Sequence, residues 1–229
     1  MFRIKKIIGR QIIDSRGNPT CEADIILDDG TLGRGAVPSG ASTGKLEAIE
    51  IRDNDPDLYL GKSVNKAVNN INHVISAEIN ASTAFDQESF DKFLIELDGT
   101  SNKERLGANT ILALSIAFAK AIANKNNIHL YQSLTEDSSY MLPIPMMNII
   151  NGGAHANNKL DFQEFMILPI GFDKITESIR AGAEIFHTLK NALNRINMPT
   201  SVGDEGGFAP NLNSLSLIHI SEPTRPYWI

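Results

Sequence analysis

Residues 145–169 read PMMNIINGGAHANNKLDFQEFMILP, and this stretch decides the fold. Its two ends, residues 145–150 and 162–169, are continuous apolar runs, as expected for parallel strands that are buried on both faces. An amphipathic helical pattern follows from Ile175 to Ile196, and residues 201–210 form a further strand-like segment. Strand, helix and strand in succession predict an α/β unit with right-handed crossovers.

The composition excludes several classes of protein. A chain of 229 residues with 42% hydrophobic residues can bury a sizeable core, and its net charge of −6 argues against a nucleic-acid partner. No apolar run approaches the ~18 residues of a membrane span, and the N-terminus lacks the apolar core of a signal peptide. The single cysteine, Cys21, favours a reducing compartment. We therefore expect a cytoplasmic protein, while a cell-surface or secreted pool stays open.

The chain before residue 142 has a different pattern. Residues 21–27 alternate apolar and polar side chains, which predicts a half-buried strand, with residues 3–14 as a partner strand and Asp29-Gly30 as a hairpin turn. Helical spacing follows at residues 64–79, 90–97 and 110–123. The segment Leu142-Pro-Ile-Pro145 is the predicted domain boundary.

Three segments rich in glycine and small polar residues hold the candidate site: residues 37–44, 151–155 and 202–207. In the last of them, Asp204 and Glu205 stand between glycines at the end of a predicted buried strand. The glycines let the backbone approach a ligand, and an acid pair there is costly unless it binds a ligand or moves protons. A glycine-rich turn with solvated acids is the alternative.

Two further positions are candidates because their polar side chains break apolar surroundings. His155 follows two glycines after a predicted strand, and a binding role and a packing role are equally open for it. Gln163 and Glu164 interrupt an apolar run, and a carboxylate in a buried strand needs a partner. Glu164 therefore either faces a site at the mouth of a barrel or forms a structural ion pair.

The segment SGASTGK at residues 39–45 resembles a phosphate-binding loop only superficially. Three residues separate Gly40 from Gly44 where four are needed, and Leu46 occupies the position of the required hydroxyl residue. The alternative is a hydroxyl-rich segment in which Ser42 or Thr43 caps a short helix.

Five blocks of sequence together carry a strong resemblance to enolase, the phosphopyruvate hydratase of glycolysis. They are DSRGNPT (14–20), VPSGASTG (37–44), MMNIINGGAHANN (146–158), LDFQEFMILP (160–169) and VGDEGGFAPNL (202–212). The resemblance implies an α+β N-terminal domain at residues 1–142, followed at residues 143–214 by the first part of a (β/α)8 barrel that starts with two successive strands. It also implies a lyase that reversibly dehydrates 2-phosphoglycerate to phosphoenolpyruvate with Mg²⁺, and a homodimer or higher homo-oligomer.

The resemblance also implies roles for individual residues. Glu205 matches the family's proton donor and Glu164 its acidic neighbour, while His155, Gln163 and Glu164 match substrate-contacting positions. The remaining matched residues form a lid loop: Ser39, Gly40, Ala41, Ser42, Thr43 and Gly44. Ser42 corresponds to the serine that ligates a second Mg²⁺ when the lid closes. A glutamic acid in a dry site beside a second carboxylate can deliver the proton that a leaving hydroxide requires.

The sequence departs from the family pattern after Ser214. A complete barrel needs ~250 residues, so the residues after Leu142 can supply only its first strands. In the family, the main carboxylate ligands of Mg²⁺ and the lysine that removes the α-proton come from later strands, so we expect both to be absent from this chain. We expect an inactive truncated enolase in which residues 215–229 are a non-native tail. The alternative is a non-catalytic interaction or self-association module derived from enolase.

Overall fold

The computed structural model describes residues 1–40, 44–80, 82–137 and 139–212. The chain divides into two compact units, Met1–Ser138 and Ser139–Ile229. The boundaries predicted at residues 142 and 214 remain predictions, and the proposed tail at residues 215–229 lies outside the described residues.

A four-stranded antiparallel sheet forms the centre of the first unit. Its strands are β1 (Phe2–Ile13), β2 (Pro19–Leu27), β3 (Leu32–Ala36) and β4 (Ala84–Phe85), in the order β3-β2-β1-β4. The predicted pairing of β1 with β2 is confirmed, and so is the hairpin between β2 and β3, whose turn contains Gly30 at φ 91°. The odd-numbered residues of β2 from Cys21 to Leu27 are buried, as their alternation predicts.

Helices cover one face of this sheet. They are α1 (Asn65–Asn69), a π-helical segment (Asn70–Ile75), α2 (Ser76–Glu78), α3 (Gln87–Asp98), α4 (Ala108–Lys125) and the short α5 (Leu130–Ser133). The three predicted helical regions are thereby confirmed. Helix α4 lies so close to β3 that a Cβ atom on Gly33 would stand 2.0 Å from the carbonyl oxygen of Ala117. Glycines in β3 therefore allow the helix to contact the strand backbone directly.

The side chain of Asn72, in the π-helical segment, contacts the backbone of β1. Its Oδ1 accepts a hydrogen bond from the amide of Gly9 at 2.7 Å, and its Nδ2 donates to the carbonyl of Gly9 at 3.0 Å. Because β4 pairs only with Phe2 and Arg3, these two hydrogen bonds satisfy backbone groups on the edge of β1 beyond β4.

The opposite face of the sheet carries an ionic network. Asp24 is almost fully buried and accepts hydrogen bonds from Arg34, at 2.7 Å and 3.0 Å, and from Arg10. Glu22 adds a 2.7 Å contact to Arg10. The four residues lie on three neighbouring strands, so the network ties β1, β2 and β3 together on this side.

The second unit contains a two-stranded sheet and one long helix. Strands β5 (Met147–Asn151) and β6 (Glu164–Ile167) are followed by α6 (Ile175–Arg195). Phe208 packs against α6, with its ring 4.2 Å from that of Phe186 between centroids. None of the helices that the structure describes is both long and apolar enough to cross a membrane.

The strands of the second unit correct two expectations from the sequence. β5 and β6 pair antiparallel, whereas their apolar runs were expected to be parallel. Parallel pairing needs a crossover, usually a helix, but the connection at residues 152–163 contains only the short 3₁₀ turn Gly153–His155. β6 is also not buried on both faces, since Met166 is 43% exposed.

Residues 201–210 do not form the buried strand that their pattern predicted. Their pairing consists of two isolated bridges, an antiparallel one between Val202 and Phe208 and a parallel one between Ile150 and Phe208. The segment folds back on itself because Gly206 adopts a φ of 81°, which favours a tight turn. The acid pair therefore lies in a turn and not at the end of a strand.

Candidate active site

Three acidic or imidazole side chains converge in the second unit from separate segments of the chain. His155 ends the 3₁₀ turn after β5, Glu164 begins β6, and Glu205 lies in the turn at residues 203–207. One ligand-type atom from each side chain lies within 4.8 Å of the other two. The structure thus brings together three of the residues that the sequence singled out.

Backbone hydrogen bonds hold the acid turn against β5. The amide of Asn151 donates to the carbonyl of Phe208, and the amide of Phe208 donates to the carbonyl of Ile149, both at 2.9 Å. The turn is closed by a 2.8 Å hydrogen bond from the amide of Gly203 to the carbonyl of Gly207. The position of the turn is consequently fixed by main-chain groups and does not depend on the acids themselves.

The acid turn also contacts the segment that carries the histidine. The amide of Asp204 donates to the carbonyl of His155 at 3.1 Å. A Cβ atom on Gly203 would stand 2.5 Å from that same carbonyl oxygen, and one on Gly207 would stand 2.8 Å from the amide nitrogen of Ile150. Both glycines are therefore required for the close approach that brings Glu205 to His155.

The imidazole of His155 is buried, with a side-chain exposure of 4%, and contacts two polar groups. Its Nε2 lies 2.8 Å from the Nε2 of Gln163, and its Nδ1 lies 3.2 Å from Oε1 of Glu164. An amide nitrogen only donates, so Nε2 of the imidazole accepts and the ring hydrogen of a neutral His155 resides on Nδ1, facing Glu164. The Nδ1 contact lacks hydrogen-bond alignment, which leaves that nitrogen without a hydrogen-bond partner among the described groups.

The two glutamates differ in their surroundings. Glu164 is half-buried and faces the imidazole, whereas Glu205 is exposed on the surface of the turn. Asp204 is also exposed and does not belong to the converging group. The expectation of a glutamic acid beside a second carboxylate is thus met in position, but the dry surroundings expected for that acid are not found around Glu205 in the described residues.

The converging group does not fit a dedicated Mg²⁺ cage. Mg²⁺ prefers oxygen ligands in a regular octahedron, whereas His155 offers an imidazole nitrogen, which suits Zn²⁺, Cu²⁺ or Ni²⁺ better. The two glutamates supply the only carboxylates of the group among the described residues.

Two asparagines support the site, and the sequence did not single them out. Oδ1 of the buried Asn151 accepts a 2.9 Å hydrogen bond from the amide of Gly207. Nδ2 of Asn158 donates to the carbonyl of Asn151 at 2.9 Å and to that of Pro210 at 3.1 Å. Both lie in the block MMNIINGGAHANN, but only the folded backbone shows which carbonyl and amide groups they satisfy.

The predicted lid loop lies in the first unit and is described only at its two ends. Oγ of Ser39 donates to Glu50 at 2.9 Å, and the amide of Gly44 donates to Glu47 at 2.8 Å. Ala41, Ser42 and Thr43 lie outside the described residues. The residues after Gly44 form a turn where the sequence allowed a short helix.

The fold and the site together define a class. An α+β unit is followed by a unit with an antiparallel strand pair and a long helix, in which a histidine and two glutamates converge. The sequence matches the model of the enolase N-terminal domain over residues 4–134 and that of the enolase C-terminal TIM barrel domain over residues 139–220. The chain belongs to the enolase family. The second match continues six residues beyond Ser214, where the family pattern was expected to end.

Proposed function

We propose that this chain derives from a Mg²⁺-dependent enzyme that reversibly dehydrates 2-phosphoglycerate to phosphoenolpyruvate. Membership of the enolase family supports this proposal, and so does the convergence of His155, Gln163, Glu164 and Glu205. The convergence is the single observation that carries the proposal, because the Glu205 carboxyl, the proposed proton donor, lies beside groups able to contact a polar substrate.

In the proposed reaction, Glu205 protonates the hydroxyl group as it leaves the substrate. The Glu164 carboxylate lies 3.2 Å from Nδ1 of His155, and in the proposed reaction this contact helps to orient the imidazole. His155 and Gln163 contact the substrate through their polar side-chain atoms. Glu205 and Gln163 are the exposed members of the group, so an incoming substrate reaches them first.

Mg²⁺ supplies the charge stabilisation that the reaction intermediate needs, and in the proposed enzyme it is held mainly by carboxylates other than those of the converging group. Ser42 is the proposed ligand of a second ion. The lysine that removes the α-proton is proposed to come from a later barrel strand that has no match here. A polypeptide of these 229 residues should therefore show no measurable turnover with Mg²⁺, a loss far beyond the ~10²–10⁴-fold contributed by one acid–base group.

A chimeric protein tests the role of Glu205 directly. Residues 1–212 are joined to the remaining barrel strands of an enolase-family member, and phosphoenolpyruvate formation is measured. We expect an active chimera in which Glu205→Gln lowers kcat by about 10²–10⁴-fold. Glu184→Gln, at an exposed position of α6, is the matched control and should leave kcat unchanged.

An active chimera that keeps its full rate after Glu205→Gln would contradict the assignment of the proton donor. Turnover by the unfused 229-residue polypeptide would contradict the proposal that the base and the principal metal ligands lie elsewhere. The two results are distinguishable because they come from different proteins.

Self-association is the second candidate function. Several large apolar side chains of the second unit are exposed: Phe162, Leu168, Ile170 and Phe172. Exposed apolar surface of this kind marks sites of association. We also propose a cytoplasmic location, which suits a chain whose one cysteine is a buried free thiol.

A further inference from the structure

A polar cavity of about 390 Å³ lies in the first unit, at the start of the predicted lid loop. Its lining includes Arg16, Asn18, Gly40, Arg52 and Lys62. Glu50 is the single carboxylate of the lining residues. Three cationic side chains thus surround one cavity in a chain whose net charge is −6.

Arg52 is a fixed cation at this cavity. Its Nη1 donates to the carbonyls of Pro19 and Lys62 at 2.6 Å and 2.5 Å. Its Nη2 donates to Glu50 at 2.7 Å and to Oγ of Ser39 at 3.1 Å. These four hydrogen bonds hold the guanidinium in one place, and its ion pair with Glu50 offsets much of its charge, so the net positive charge of the cavity comes mainly from Arg16 and Lys62.

Arg16 and Lys62 each have N–H donors that no described group accepts. Among the described groups, the ammonium of Lys62 donates to Oδ1 of Asn18 at 3.0 Å, which uses one of its three hydrogens. Arg16 donates through Nη2 to the carbonyl of Ser39, and Asp14 lies 3.7 Å from the same nitrogen. A guanidinium carries five N–H donors, so most of the hydrogen-bonding capacity of Arg16 is not used by the described groups and remains for a ligand.

Backbone strain shapes the rim of the cavity beside Lys62. Tyr59 and Leu60 have φ values of 52° and 54°, and Asn54 has a φ of 57°. A left-handed conformation costs roughly 1–2 kcal/mol for a residue other than glycine, and such residues persist where the surrounding structure enforces them. Here the amide of Asn54 donates to the carbonyl of Gly61 at 3.1 Å, which folds the strained loop so that Lys62 lines the cavity.

From these observations we infer that the cavity is a binding site for a small, doubly charged oxyanion of the phosphate class. Such an anion lies between Lys62 and Arg16, where ammonium and guanidinium donors meet phosphate oxygens in charge-assisted hydrogen bonds. The fixed guanidinium of Arg52 forms part of the cavity wall behind the anion. The site lies entirely in the first unit and does not depend on the proposed dehydration, whose acid residues lie in the second.

Calorimetric titration of the 229-residue polypeptide tests the site. Inorganic phosphate and methyl phosphate are titrated separately, with chloride adjusted to keep the ionic strength constant. We expect saturable binding that Lys62→Gln and Arg16→Gln each weaken by about fivefold. Tighter binding of phosphate identifies the free ion as the occupant, and tighter binding of methyl phosphate identifies a monoester; both results support the site.

The matched control is Lys92→Gln, which removes the same charge from an exposed side chain of α3. It should leave the affinity unchanged. If Lys92→Gln and Lys62→Gln weakened binding equally, the effect would come from the net charge of the protein and not from the cavity, and the proposal would be overturned. The lack of saturable binding of either anion would also overturn it. Lys62 is exposed and its substitution leaves the hydrogen bonds of Arg52 in place, so this variant remains informative if Arg16→Gln fails to fold.

Discussion

At the scale of single residues, Asp24 shows how a buried charge is accommodated in the sheet of the first unit. Hydrogen bonds from Arg34 and then from Arg10 lower the pKa of the Asp24 carboxyl from 3.8 to about 2, against the opposing effect of burial. The pKa is lower in the folded state than in the unfolded state, so the carboxylate stabilises the fold above pH ~4. That contribution is lost as the pH falls through about 2.

Asp24→Asn should therefore lower the free energy of unfolding by about 2 kcal/mol at pH 7. The difference from the unsubstituted chain should shrink between pH 4 and pH 2, where the unsubstituted carboxyl also becomes neutral. Urea unfolding at a series of pH values measures it, with the exposed Asp57→Asn as the control. A difference that stays constant over this range would show that the ion pairs do not account for the stability.

The residues of the candidate site could be predicted from the sequence to different degrees. Four site residues could be recognised because their polar side chains stand next to glycines or within apolar runs: His155, Gln163, Glu164 and Glu205. Burying such a side chain costs free energy unless it has a hydrogen-bond or charge partner. Residue type and spacing alone did not separate Glu205, which joins the converging group, from Asp204, which does not; the family resemblance singled out Glu205. Asn151 was missed because its role is to accept one backbone hydrogen bond in a turn that exists only after folding.

At the scale of elements, the close packing of helix α4 on strand β3 requires glycine at the point of contact. A Cβ atom on Gly33 would also stand 2.3 Å from the amide nitrogen of Ala121, so no side-chain rotation can relieve the overlap. Gly33→Ala should force the helix away from the sheet and lower the free energy of unfolding by about 3 kcal/mol.

Thermal or urea unfolding of Gly33→Ala measures this effect. Gly44→Ala is the matched control, because an added Cβ there approaches only the flexible end of Glu47, at 3.2 Å. Equal stability of the two variants would mean that α4 can shift along the sheet at little cost.

The secondary-structure elements differ in how well the sequence predicts them. The helices were predictable because their apolar spacing is set within each helix. Strand direction was not, because a short apolar run looks alike in parallel and antiparallel sheets, and the antiparallel pairing of β5 with β6 follows from the connection between them. The π-helical segment Asn70–Ile75 was invisible since one widened turn hardly disturbs the apolar spacing around it.

At the scale of the whole molecule, the two units differ in how completely they bury apolar side chains. Among the residues that the structure describes, the first unit has a core of more than twenty buried apolar residues, whereas the core cluster of the second has seven. The first unit therefore holds most of the apolar burial that stabilises the chain.

A polypeptide of residues 1–138 should consequently fold cooperatively and remain monomeric, while the 229-residue polypeptide should self-associate. Burial raises the pKa of the Cys21 thiol to about 12, so a thiol reagent should leave Cys21 unmodified in both polypeptides until they unfold. Analytical ultracentrifugation measures the association, and labelling of Cys21 reports the folding of the first unit. Rapid labelling of the shorter polypeptide, or a monomeric longer one, would contradict this division of roles.

The side-chain amide of Asn72 imitates a neighbouring strand along the outer edge of β1 at Gly9. An invading segment from another molecule would have to displace both of its hydrogen bonds before it could template cross-β growth there. The amide of Asn72 therefore protects the β1 edge at Gly9, and we expect intermolecular strand pairing to be less favourable at this point than at an edge with unpaired backbone groups.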